Sequence, residues 1–281
     1  MPTRVDGWEG FPVAIESSSE SGPIDAVFVH ANGFCKELWR PVVAAVADSP
    51  RPINWVSMDQ RGHGDSGVGA PPYDWDRIAR DVVAIVGDSR GPVGVGHSSG
   101  GSAIARAEIL APGLFRAMVL IEPIIFPPPY GRYDVPLAAI AEQRTAVFAD
   151  RAAARKRFAM RAFKDWDPEV LDLYVDHGFR PTDRGWELKC APRVEADYYR
   201  EGNNVDTWDR LDEIECQVVL VAGEHSDTHS GPYLSQLQAR FRRAHVDVIP
   251  SAGHLVPMER PGAIASIVTD VLDRPLTDPS S

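Results

Sequence analysis

Cysteine is scarce in this chain: Cys35, Cys190 and Cys216 are the three among 281 residues, an odd and scattered set. That argues against a disulfide framework, suits no zinc-ligand spacing and points to a reducing compartment. Long apolar runs are missing too. No window reaches the roughly 18 uninterrupted apolar residues of a membrane span. The first residues, MPTRVDGWEGFPVAIESSSE, lack the apolar stretch of a secretory signal. A cytoplasmic protein with no membrane partner is the expectation. Positive charge is the third shortage: 29 Lys and Arg against 40 Asp and Glu leave a net charge of −11. A general nucleic-acid binder needs a basic face, so no nucleic-acid partner is expected. One local exception exists, formed by Arg144, Arg151, Arg155, Lys156, Arg157, Arg161 and Lys164. It reads as a solvated helix face or as a rim that attracts anionic substrates.

What the chain does have is alternation. Apolar runs with strand character stand near residue 14 and at 24–30, 53–59, 93–97, 116–122, 217–224 and 244–250. Helical patterns separate them, at 36–48, 75–88, after Ser98, from Gly231 and at 261–273. Pro41 must sit in the first turn of its helix or kink it, and Pro261 suits a helix start. Such a rhythm predicts an α/β fold: a mostly parallel, doubly wound sheet covered on both faces. The rhythm breaks at the proline-rich PPPYGRYD, and 127–211 reads as helical, charged and aromatic with no clear strand. The expected organisation is a core of 1–126 and 212–281 with a helical cap of 127–211 inserted between two strands. The tail RPLTDPSS is expected to fray.

The chemistry concentrates at VGVGHSSGG, residues 93–101. Gly96-His97-Ser98-Ser99-Gly100 fits G-x-S-x-G between a strand and a helix. A sharp turn there pushes the Ser98 hydroxyl up from the strand end. Glycines two before and two after remove side chains that would collide. The Ser99 N–H, at the new helix's N-terminus, then faces the reacting oxygen. A serine hydroxyl is a poor nucleophile until a base takes its proton. The candidate base is His254, in the loop SAGHLVPMERP after the last strand. His30, His63, His97, His177, His225, His229 and His245 fit that role less well.

The elbow, the order of serine, acid and histidine, the loop HANGF (30–34) and the segment DQRGHGDSG (59–67) together resemble the α/β-hydrolase fold superfamily. The resemblance spans nearly the whole chain outside the insertion. It implies that the insertion caps the active site and sets substrate choice. It also implies that the Asn32 N–H supplies the second oxyanion donor opposite that of Ser99. Ala31 replaces the usual glycine of H-G-x, and Gly33 takes the donor role if the loop is shifted by one. Two carboxylates compete to orient His254. Asp227, in GEHSDTHS, resembles the aspartate of a common G-x-x-S-D stretch, and it is slightly favoured. Glu122 closes the strand AMVLIE, a placement similar to that in haloalkane dehalogenases and zearalenone-type lactone hydrolases. A carboxylate ending so apolar a strand needs a strong partner. Dehalogenase chemistry itself is disfavoured, because that family has an aspartate where Ser98 stands.

Two other patterns are set aside. Gly62-His63-Gly64-Asp65-Ser66-Gly67 matches a dinucleotide fingerprint, but Pro71 and Pro72 rule out the helix that must follow. His225 and His229, near Glu224 and Asp227, invite a metal, yet a hydrolase of this type needs none. Trp39, Trp75, Trp166, Trp186 and Trp208 read as core more than as substrate platform. The expectation is a cofactor-free serine hydrolase cleaving a carboxylic ester or lactone of a small to medium-sized, partly hydrophobic molecule through an acyl-enzyme. Carbon–carbon hydrolysis, lyase or cyclase chemistry in the same pocket stays open. So does a hydrolase-like ligand receptor.

Overall fold

The computed structural model describes residues 3–19, 22–47, 52–89, 91–160 and 163–274. Strands β1 (Thr3–Asp6), β2 (Pro12–Ser17), β3 (Ala26–Val29), β4 (Trp55–Met58), β5 (Val93–His97) and β6 (Ala117–Ile121) precede the insertion. The insertion contributes β7 (Val147–Phe148), β8 (Phe179–Thr182) and β9 (Gly185–Leu188), and β10 (Gln217–Gly223) and β11 (Ala244–Ile249) follow it. The main sheet has eight strands in the order β1-β2-β4-β3-β5-β6-β10-β11. The β1–β2 and β2–β4 pairs are antiparallel and the rest are parallel.

The central strands are buried on both faces because their apolar residues run without a polar break. Successive side chains therefore feed two separate cores. Val27, Val29, Met118, Leu120, Val218 and Leu220 pack on one side with Ile78 and Val82 of α2 (Trp75–Val86) and Ile104 of α3 (Ser99–Leu110). Ala26, Phe28, Val119, Ile121, Val219 and Val221 point the other way. There they meet Val42 and Val46 of α1 (Arg40–Ala47) and Ile264 and Val268 of the closing helix, Pro261–Asp273. Each fully buried Val, Ile or Leu contributes about 1.5–3 kcal/mol, so the two faces together anchor the strand ends that carry the site. Pro41 occupies the first turn of α1, where its missing N–H costs no helical hydrogen bond. Asp74 caps α2 by accepting from the Arg77 N–H at 2.9 Å, and Gly87, with φ of 53°, ends it.

Between β6 and β10 the chain forms α4 (Pro136–Glu142), α5 (Arg151–Ala159), α6 (Pro168–His177) and α7 (Pro192–Arg200). It also forms a small antiparallel sheet ordered β7-β9-β8, which the sequence reading of this segment as strandless had missed. An aromatic cluster of Phe163, Trp166, Tyr174 and Phe179 seats the segment on Ala31, Phe34 and Leu38 of the core. Phe34 lies edge-on to Trp166, with ring centroids 5.3 Å apart. Trp39, Trp75, Trp166 and Trp208 are all buried, and Trp186 donates to the Val175 carbonyl at 3.0 Å.

Three arginines of the basic stretch are paired with carboxylates. Arg151 pairs with Asp172 and Asp176, Arg155 with Asp172, and Arg144 with Glu195. Arg161 and residues 275–281 of the tail lie outside the described residues. The helices after β10 are α8 (Gly231–Arg240), the short α9 (Val256–Glu259) and α10, the closing helix Pro261–Asp273. No helix of the described residues is long and apolar enough to cross a membrane.

Candidate active site

Strand β5 ends at His97 and helix α3 begins at Ser99, so Ser98 alone makes the turn. Its backbone sits at φ 53° and ψ −114°, a left-handed conformation that costs a non-glycine residue on the order of 1–3 kcal/mol. The neighbouring glycines are steric necessities. A Cβ on Gly96 would collide with the Gly100 backbone, and one on Gly100 with the carbonyls of Val29 and His30. The turn is braced from beneath: the Ser98 N–H donates to the Ile121 carbonyl at 2.8 Å, and the Ser98 carbonyl accepts from the Ser102 N–H at 3.1 Å.

Above this turn stands His254. Its Nε2 accepts from the Ser98 hydroxyl at 3.2 Å, and its Nδ1–H donates to Glu122 Oε2 at 2.9 Å. The backbone carbonyl of His254 is held by His97, whose Nε2–H donates to it at 2.9 Å. Burial pushes the His97 imidazole down to about 3, and the neighbouring His254 adds to that, so His97 stays neutral and serves as a fixed donor.

Glu122 follows β6 directly, with φ of 49°, and its side chain is fully buried. Four groups surround the carboxylate. The Gly223 N–H donates to Oε1 at 2.9 Å, and the Ser226 hydroxyl donates to Oε2 at 2.7 Å. His254 and His229 complete the set, the latter with Nδ1 at 2.8 Å from Oε2. Burial alone would raise the Glu122 carboxyl. The contacts with His229 and then His254 outweigh burial and hold it well below the usual carboxylate range.

Asp227, the acid slightly favoured from sequence, does not reach the imidazole. It is exposed, and its Oδ1 accepts from the Thr228 hydroxyl at 3.2 Å. The cause is the path of the loop after β10. That loop turns Ser226 and His229 inward around Glu122 and leaves Asp227 facing out. Sequence reasoning set His229 aside and passed over Ser226. The available signal was that both flank the very aspartate under consideration.

The loop after β3 is fixed by two buried histidines. His30 donates from Nδ1 to the Ala31 carbonyl at 2.7 Å and accepts at Nε2 from the Gln60 N–H at 3.1 Å. Gln60 in turn reaches the Ser99 hydroxyl at 3.1 Å, which links this loop to the elbow. His63, pushed by burial down to about 4, is neutral: Nδ1–H donates to the Arg61 carbonyl at 3.0 Å and Nε2 accepts from the Gly33 N–H at 2.9 Å. The Gly33 N–H is therefore engaged. Among the described residues no backbone partner takes the N–H of Asn32 or of Ser99. The Asn32 side chain donates to the Glu195 carbonyl at 2.9 Å and ties this loop to α7.

Glu122, His229 and His254 each present one ligand-type atom, all within 4.8 Å of one another. Glu122 Oε2 is hydrogen-bonded to His254 Nδ1 at 2.9 Å, and His229 Nδ1 lies 2.8 Å from the same oxygen. Ligands around a zinc ion at ordinary bond lengths stand roughly 3.3 Å apart. The residues present thus fit a metal centre poorly. Neither a recess of about 10 Å³ beside Ser102 and Trp208 nor a groove of about 530 Å³ beside Trp8 and Arg77 has Ser98, His254 or Glu122 in its wall. The glycines of the rejected dinucleotide pattern serve a turn. Asp59 fills the space where a Gly64 Cβ would stand, and it accepts from the Asp65 N–H at 2.9 Å.

Comparison with known proteins bears on the fold and the family. The chain is 24% identical over 257 residues to the 2-(acetamidomethylene)succinate hydrolase of Mesorhizobium japonicum, covering 90% of this chain and 89% of that protein. It is 27% identical over 220 residues to the abhydrolase domain-containing protein ACTT2-1 of Alternaria alternata, covering 65% of this chain and 83% of the relative. A crystal structure of E-2-(acetamidomethylene)succinate hydrolase superposes with a TM-score of 0.82 at 22% identity, covering 98% of this chain and 99% of the other. The enol-lactonase of Burkholderia xenovorans LB400 superposes with a TM-score of 0.74 at 18% identity, covering 97% and 100%. The model of the alpha/beta hydrolase family matches residues 26–267, and the chain belongs to that family.

Proposed function

We propose that this protein is a serine hydrolase that cleaves a carboxylic ester or lactone of a small to medium-sized, partly hydrophobic molecule through an acyl-enzyme. One observation carries the reading: a continuous line from Glu122 through His254 to the Ser98 hydroxyl, at 2.9 and 3.2 Å. Along it, His254 takes the Ser98 proton as the oxygen attacks the carbonyl carbon, and Glu122 stabilises the imidazolium that forms. The Asn32 and Ser99 N–H groups receive the developing oxyanion. The imidazolium then protonates the leaving group, and a water activated by the same ring releases the acid. The Gly33 N–H is bound to His63, which supports Asn32 over Gly33 as the donor. Relatives named as a hydrolase, an acyl-CoA thioesterase and an enol-lactonase are in keeping with acyl chemistry. The three free cysteines accord with work in a reducing, cytoplasmic compartment.

The test is a panel of esters, lactones, thioesters and amides, assayed with wild type and Ser98→Ala. The reading expects turnover of esters or lactones that drops by roughly 10³-fold or more in the variant. Turnover that survives Ser98→Ala would overturn it, and products of carbon–carbon cleavage would replace the reaction class.

A further inference from the structure

The loop after β10 brings no acid to His254, but it grips the acid that follows β6. Glu122 leaves its strand with φ of 49°, a setting that persists only where the surroundings enforce it. Its side chain is fully buried, so the direction of the carboxylate is set by the donors around it. The Gly223 N–H donates to Oε1 at 2.9 Å, and the Ser226 hydroxyl donates to Oε2 at 2.7 Å. Oε2 is also the atom that accepts from His254 Nδ1 at 2.9 Å.

The Ser226 hydroxyl is aimed by its own backbone. A hydroxyl carries one proton and two lone pairs. The Ser226 oxygen accepts from the Thr228 N–H at 3.2 Å and from the His229 N–H at 2.8 Å. Both lone pairs are thereby engaged, and the one proton is left for Glu122 Oε2. Ser226 is buried, so bulk water does not compete for that proton. The His229 ring comes as close, with Nδ1 2.8 Å from Oε2, but at an angle that makes no hydrogen bond. The segment carrying Ser226 is also locked to the loop of the base. The His225 N–H donates to the Ala252 carbonyl at 2.8 Å, and a Cβ on Gly223 would strike the Gly253 carbonyl. Glu122 is therefore held from the same backbone frame that carries His254.

We propose that Ser226 is a positioning residue for the acid: its hydroxyl, oriented by two backbone N–H groups, fixes the Glu122 carboxylate with Oε2 on His254. Ser226 acts through Glu122 alone. The kinetic consequence rests on the serine-hydrolase reading, and the hold on the carboxylate does not.

The test is a double-mutant cycle on an activated ester with Ser226→Ala, Glu122→Gln and the two combined, each checked for wild-type melting temperature. Loss of a hydrogen bond to a charged group corresponds to roughly 10–100-fold, and Ser226→Ala should lower kcat by that factor with KM within about 2-fold. Once Glu122→Gln is in place, Ser226→Ala should cost less than about 2-fold more, because the two residues act as one unit. Losses that multiply in the double variant, or an unchanged kcat in folded Ser226→Ala, would overturn the proposal. If Ser226→Ala does not fold, Ser226→Cys, close in shape and a weak donor, is judged by the same cycle. A crystal structure of whichever variant folds decides the matter without turnover. The carboxylate should swing until Oε2 lies beyond about 3.5 Å from His254 Nδ1. A contact still at the wild-type 2.9 Å would overturn the positioning role. A wild type inactive on every acyl substrate would remove the hydrolase reading alone, and the crystal structure would still decide the hold on Glu122.

Discussion

On the proposed reading, Ser98 owes its reactivity to where its neighbours put it. A free serine hydroxyl holds its proton tightly, and the gain comes from His254 at 3.2 Å, held in one tautomer by Glu122. Two substitutions separate the candidates for that third role. Glu122→Gln should lower kcat by roughly 10²–10⁴-fold, since an amide neither fixes the tautomer nor stabilises the imidazolium. Asp227→Asn should leave kcat within about 2-fold, as its side chain is exposed and bonds to Thr228. Steady-state kinetics on one ester decides between them. Equal losses in the two variants would remove Glu122 from its proposed place. Because Glu122 is held well below the ordinary carboxylate range, the acidic limb of the activity profile should not belong to this carboxyl. The choice between the two acids was not legible in the sequence for a physical reason. Strands β6 and β10 are hydrogen-bonded neighbours with Ile121 paired to Val221, so both acids leave the sheet at the same edge. Only the course of the next few loop residues separates them, and no periodicity encodes it.

At the scale of elements, the strand–turn–helix unit was fully legible because glycine at Gly96 and Gly100 is forced by contact with backbone. A methyl at Gly100 would strike the carbonyls of Val29 and His30, which belong to β3 and the loop after it. Those atoms cannot move without breaking the sheet. Gly100→Ala should therefore cost about 3 kcal/mol, the upper end of the usual range for overpacking, read as a lower denaturant midpoint. A variant as stable as wild type would show that the turn has room. The insertion was less legible. Strand β7 has two residues, and β8 contains Pro181, which breaks any alternating pattern. Such short strands carry too few residues for a period of two to emerge, and the sheet exists because tertiary packing on the aromatic cluster holds it. By contrast, α2 was legible as a helical pattern at 75–88, and Ile78, Val82 and Val86 on one face of it are buried.

At the scale of the molecule, acid sensitivity follows from histidines buried without charge. His30, His63 and His97 each lie inside the fold, with burial lowering all three below their ordinary value of 6.5. The unfolded chain binds protons at these rings as pH falls below 6.5, whereas the folded chain does not until about 4 at His63 and about 3 at His97. Stability is thus greatest above 6.5 and falls as pH drops through this window, with a slope of at most about 1.4 kcal/mol per unit for each ring. Melting temperatures taken between pH 7.5 and 4.5 should decline progressively. A flat curve over that range would mean these rings are not buried neutral. His30 and His63 hold the loop after β3 and, through Gln60, link it to the elbow, so acid should disorganise this loop before it unfolds the two cores.

All three scales meet at one oxygen. The most direct measurement is the rate at which a fluorophosphonate labels the protein, with the site mapped by mass spectrometry in wild type, Ser98→Ala, Glu122→Gln and Asp227→Asn. The account predicts a single adduct on Ser98, none in Ser98→Ala, labelling slowed by roughly 10²-fold or more in Glu122→Gln and unchanged in Asp227→Asn. An adduct on another residue, or undiminished labelling in Glu122→Gln, would contradict it.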